Sequence, residues 1–168
     1  MSSKMISKVE GQTLVLERVF DATREQVFQA FSTAEHLTEW WGPNGWTLTV
    51  CNIDFRPEGI WHYCMKCIDP AQGDFYGYES WGKAVYHEIE PNQKIVYTDY
   101  FSDADSNEVE GMPPSHITML FADQDGQTQL ISHSRFESVE ALQQVIEMGV
   151  EQGIRETWDR LEAYLQSL

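Results

Sequence analysis

Basic side chains are scarce in this sequence: 11 Lys and Arg stand against 27 Asp and Glu, a formal charge of -16 over 168 residues. Such a surplus repels the phosphates of nucleic acid and the head groups of anionic lipid, so neither a nucleic-acid partner nor a membrane surface is expected. Long hydrophobic runs are missing as well. The opening MSSKMISKVEGQ lacks the apolar stretch of a secretory leader, and nothing later approaches the roughly 20 apolar residues that span a bilayer. Cysteine is limited to Cys51, Cys64 and Cys67, an odd number that cannot all pair within one chain and that suits a reducing, cytoplasmic location. Recognisable catalytic signatures are absent: there is no G-x-S-x-G, H-E-x-x-H, P-loop or G-x-G-x-x-G.

Cys64 and Cys67 do form a C-x-x-C, but inside the strand-like run IWHYCMKCI, where residues three apart face opposite sides of a sheet. With no second C-x-x-C and only His62 nearby as a further ligand, no metal and no other cofactor is assigned.

What is present is a regular succession of strand patterns without a repeat, linker or low-complexity tract, read as one domain over 1–168 with its core from about 13 to 166. A chain of this length buries about two-thirds of its extended surface. TLVLERVF, residues 13–20, alternates as a first strand, with Leu14 and Leu16 on one face. Two short helices follow. Thr23 with Gln26, and Ser32 with Glu35, have the spacing of capping boxes, and Gly42-Pro43 ends the second helix after Trp40 and Trp41. Adjacent helical residues lie 100° apart, so a short helix buries one of these tryptophans and leaves the other to close an opening or meet a partner.

From 46 to 136 six further strands are expected: WTLTVCNIDF, IWHYCMKCI, FYGYESWGKAVYHEI, KIVYTDYF, HITMLFA and TQLISHSRF. Turn residues join them as antiparallel hairpins, with a bend near Cys51. One long polar connection, residues 102–114, reads as a mobile lid. Ser138 then caps a final helix of about 28 residues, roughly 40 Å long. The fold class is therefore α+β: a curved seven-stranded antiparallel sheet around a long C-terminal helix, with two short helices after the first strand.

The stripes that face this helix are rich in aromatics and methionine: Trp61, Tyr63 and Met65; Ile95, Tyr97 and Phe101; Ile117, Met119 and Phe121. Side chains of this kind suit irregular cavities. Gly149 and Gly153 fall on the buried face of the helix, where glycine costs roughly 1 kcal/mol against alanine, and either close helix–sheet approach or a cavity opposite them accounts for that cost. Candidate ligand-binding residues are accordingly Trp40, Trp41, Trp61, Tyr63, Met65, Tyr97, Met119, Phe121, Gly149 and Gly153. Asp99, His116, His133 and Arg135 lie in strands and can point inward, but none sits in a motif, and no catalytic residue is assigned.

The segment LERVFDATREQVFQAFSTAEHLTEWWGP, the run Phe55-Arg56-Pro57-Glu58-Gly59-Ile60-Trp61, Gly82, Glu88 to Pro91, Lys94 to Tyr97 and Gly153 to Leu161 resemble the activator of heat-shock protein 90 ATPase homologue family. That family sits within the START-like (SRPBCC, helix-grip) superfamily. Trp-Trp-Gly-Pro is the most specific element. Glu58 and Ile154 depart from the usual glycine and tryptophan at those positions. The resemblance implies a helix-grip fold with a cavity between sheet and helix, holding a small apolar ligand that is lipid-, aromatic- or polyketide-like. It also leaves two alternatives: a chaperone-associated partner, or a cyclase- or hydrolase-like enzyme using the same cavity.

Overall fold

The computed structural model describes residues 4–168. Strands β1 (Ile6–Glu10) and β2 (Thr13–Phe20) precede helices α1 (Arg24–Ala30) and α2 (Ala34–Trp40). Strands β3 (Trp46–Ile53), β4 (Ile60–Cys67), β5 (Glu79–Glu90), β6 (Lys94–Ser102), β7 (Ser115–Gln124) and β8 (Gln127–Arg135) follow, and helices α3 (Val139–Glu147) and α4 (Val150–Gln166) close the chain. All eight strands form one antiparallel sheet in the order β1-β2-β8-β7-β6-β5-β4-β3. This is the α+β helix-grip architecture that the resemblance implies.

The two largest departures from the sequence-based expectation are in the sheet and in the terminal helix. The sheet has eight strands rather than seven, because Ile6–Glu10 pairs along β2. Its pattern is mostly exposed, so hydrophobic alternation carries no sign of it, and the pairing depends on β2 offering an edge. The terminal helix is two helices. Gly149 stands between them at φ +87°, in the left-handed region, and the α4 cap lacks a side-chain hydrogen bond. Glycine is at that position because a Cβ is penalised there.

Other local features follow from their residues. Thr23 and Gln26 form the full capping box of α1. In α2 the cap is Thr33, which accepts from the His36 amide, instead of Ser32. Glu58, at the position where the resemblance implies glycine, has φ +70°. The bend expected near Cys51 is a shift of register between Leu48 and Val50. Asp125 and Gly126, both at positive φ, make the tight β7–β8 hairpin.

The core lies inside the sheet's curve. Phe20 meets Trp158 edge-on with centroids 5.9 Å apart, Phe28 and Phe31 pack on Phe121, and Leu142 and Leu161 are fully buried. No helix among the described residues is long and apolar enough to cross a membrane.

Candidate functional site

Between the sheet and the helices α3 and α4 lies a cavity of about 310 Å³. Its sheet wall is built by alternation: Tyr63 and Met65 from β4, Tyr97 and Phe101 from β6, Ile117 and Met119 from β7. Val145, Val150, Gly153, Ile154 and Trp158 form the helical wall. Trp41, Gly42 and Pro43, beyond the end of α2, contribute a third side, and Pro113 from the connection between β6 and β7 a fourth.

Trp40 is fully buried, donating its indole N–H to the Ala30 carbonyl at 3.0 Å. Its neighbour Trp41 turns to the cavity, held by Trp61 at 4.8 Å and Trp40 at 5.4 Å between ring centroids. The two tryptophans thus divide the roles of anchor and wall.

Of the candidate binding residues, Trp41, Tyr63, Met65, Tyr97, Met119 and Gly153 line the cavity. Trp40 and Phe121 are core residues beside it, and Trp61 is buried with its ring stacked on Tyr63 at 4.3 Å. Gly149 lies at the break between the helices, and its positive φ is reason enough for glycine there. Gly153 is different: a Cβ added there meets nothing within 4 Å, so the space opposite it is open.

One charged side chain, Asp99, is among the residues that line this cavity. It occupies the inward phase of β6 between Tyr97 and Phe101. The Tyr63 hydroxyl donates to it, 3.0 Å from Oδ1 and 3.3 Å from Oδ2. Tyr63 pairs with Gly82 on β5, which in turn pairs with Phe101 on β6, so its ring reaches Asp99 by lying across β5. A Cβ on Gly82 would overlap that ring, and glycine is what lets it lie flat. Burial drives the Asp99 carboxyl up to about 7, a rise that the Tyr63 hydrogen bond holds back. The phenols of Tyr63 and Tyr97 are pushed well above their ordinary value by burial, then by Asp99. Ser115, Ser132 and Ser134 add hydroxyl-bearing side chains to the same lining.

His116, His133 and Arg135 are not in this cavity. They border a separate depression together with His87. There the Thr98 hydroxyl lies 2.7 Å from His87 Nε2 and 3.0 Å from His116 Nδ1. The period of two separates them from Asp99: residues 98 and 99 take opposite faces, and His116 pairs with Thr98. Among the described residues no group of three or more His, Cys, Asp or Glu side chains is placed to hold a metal.

Neither Gly82 nor the serines figured among the sequence candidates. Alternation in β6 does place Asp99 inward, but alternation in one strand carries no information about the Tyr63 hydroxyl two strands away. The connection over 102–114, expected to be a lid, is held by Asp103, whose carboxylate accepts from the amides of Asp105 and Asn107 at 2.9 Å, and by the Lys83–Glu108 ion pair at 3.0 Å.

The family model described as Activator of Hsp90 ATPase homolog 1-like protein matches residues 21–166. Among solved structures, a protein from Arthrobacter aurescens aligns with a TM-score of 0.86 at 27% identity, covering 98% of this chain and 92% of its own. Ms6760 from Mycobacterium smegmatis aligns at 0.83 and 26% identity, over 97% and 96%. A Staphylococcus epidermidis protein aligns at 0.79 and 29% identity, over 98% and 96%. No curated protein matches the chain.

Proposed function

This chain belongs to the Activator of Hsp90 ATPase homolog 1-like protein family, and from that premise we propose that it is a one-domain, cytoplasmic binding module for a small, largely apolar molecule. The observation that carries this reading is the cavity of about 310 Å³ walled by aromatic, methionine and aliphatic side chains. That volume is at the lower end of the range for small-molecule sites, and predominantly apolar walls with a few placed polar groups are the usual make-up of such sites. A native interior is otherwise close-packed, and space of this size is costly to keep unless something uses it.

Gly153 supplies the test, since nothing stands opposite it. Gly153→Leu should fill the space and keep the fold, while affinity for a neutral apolar probe such as N-phenylnaphthylamine falls at least about tenfold. Unchanged binding, or collapse of the thermal transition, goes against the reading. Native mass spectrometry of protein purified without denaturation should show a copurified small molecule.

A second reading, chaperone association, has one observation in its favour. Ile68, Phe75, Tyr76 and Tyr78 are exposed together after β4, with Phe75 and Tyr78 in ring contact with Trp46. A chaperone adduct without a small molecule in the same mass spectra would favour it. An enzymatic use of the cavity would rest on Asp99, because the histidines and Arg135 border the other depression.

A further inference from the structure

We infer that the molecule held in this cavity is an apolar amine, whose ammonium group pairs with the Asp99 carboxylate while its apolar body fills the space under α4. The inference rests on the apolar-ligand reading and adds the chemistry of the ligand's polar end.

The first ground is an incomplete partnership. Among the described residues both Asp99 oxygens share a single donor, the Tyr63 hydroxyl. Among the described residues the lining of the cavity contains no Lys, Arg or His. Asp99 is half-buried in a largely apolar lining, where an ionised carboxylate is costly unless it is paired, and one neutral donor does not pair it. Holding Tyr63 does not require an acid either, because the neutral amide oxygen of asparagine also accepts a hydrogen bond. A carboxylate kept here at a cost is accounted for by a cation that arrives with the ligand.

The second ground is shape. Tyr63 approaches from the β4 side across Gly82, and it is aligned by Trp61 and Trp41 at centroid distances of 4.3 Å and 5.9 Å. This fixes the carboxylate from one side. Ser115, paired with Asp99 on the neighbouring strand β7, adds a hydroxyl that can accept from a second ammonium hydrogen. The third ground is the field of the whole molecule, which at a formal charge of -16 concentrates small cations and repels small anions.

The experiment compares three probes of one shape on the full chain: naphthylethylamine, naphthylethanol and naphthylacetate, read by quenching of tryptophan fluorescence. At about pH 8 the amine should bind at least about tenfold more tightly than the alcohol, with the acid weakest. Asp99→Asn should remove the preference for the amine while retaining alcohol binding. Among the described residues, the titratable groups that line the cavity besides Asp99 are the phenols of Tyr63, Tyr97 and Tyr100, with Tyr86 behind them; α3 and α4 add none to the lining, and Arg160 of α4 is engaged at its edge by the Gly42 carbonyl. With the carboxyl at about 7, amine affinity should fall about tenfold between about pH 8 and pH 6, whereas alcohol affinity should change far less.

Equal or tighter binding of the alcohol or the acid overturns the inference and leaves the apolar-ligand reading standing. An amine preference that survives Asp99→Asn also overturns it, since the anchor is then elsewhere. If none of the three binds, both readings fall. The probe comparison on the unaltered protein decides the matter even where the Asp99 variant does not fold.

Discussion

Asp99 stands among phenols and aliphatic side chains, and its carboxyl is held at about 7 against an ordinary 3.8. The folded state therefore binds this proton more tightly than the unfolded chain does. The associated stability is fully present below about pH 4 and is lost as pH rises through about 7. At about 1.4 kcal/mol per unit, the rise corresponds to a loss on the order of 4 kcal/mol. Asp99→Asn has no such proton. Urea melts of the two proteins should show the wild type losing stability relative to the variant between about pH 4 and pH 7.5; a constant difference would mean that Asp99 titrates like a solvated carboxyl. Its inward phase in β6 was legible from alternation. The magnitude of its burial was not, because the Tyr63 ring that covers it comes from two strands away.

Among the elements, the pair α3 and α4 departs most from the sequence pattern. Leu142, Val145, Ile146, Val150, Thr157 and Leu161 keep helical phase across residues 148 and 149, so periodicity alone reads one helix. Periodicity reports which side of the chain is apolar and is silent on whether the backbone runs on. Gly149 at φ +87° breaks it, whereas Gly153, four residues on, has helical neighbours and open space opposite. Opposite effects of the same substitution follow. Gly149→Ala should cost about 1–2 kcal/mol by backbone strain alone, and Gly153→Ala should gain roughly 1 kcal/mol of helix propensity. Chemical denaturation of both variants checks this; changes of the same sign would contradict the assigned roles.

For the whole molecule the dominant quantity is charge. Ion pairs such as Arg18–Asp159 at 2.6 Å and Lys94 with Glu88 and Glu90 at 3.1 Å offset part of it, but 27 acidic residues against 11 basic leave a net self-repulsion in the compact state. Raising ionic strength from about 0.02 M to 0.5 M shortens the screening length from roughly 20 Å to 4 Å. The melting temperature should therefore climb by roughly 3 °C, as for a gain of about 1 kcal/mol in a chain of this size. A decrease would show that the attractive pairs dominate instead.

The sequence by itself determined the local elements and their faces: the strands from β2 to β8 in outline, the α1 capping box, and that so short a helix buries one of Trp40 and Trp41 and not both. Each of these depends on residues within one turn or one strand of each other, where propensity and periodicity act directly. Tertiary structure decided what those faces meet. It added β1, whose residues carry no apolar alternation, and it parted Asp99 from His116, His133 and Arg135 by placing them on opposite sides of one sheet. It also joined Tyr63, Gly82 and Asp99 from three strands into one group. The position of Gly82 opposite Tyr63 follows from the register of β4 on β5, and register is a property of the assembled sheet. The cavity itself is the space left between the curved sheet and the helices α3 and α4, and it is not written in any single element.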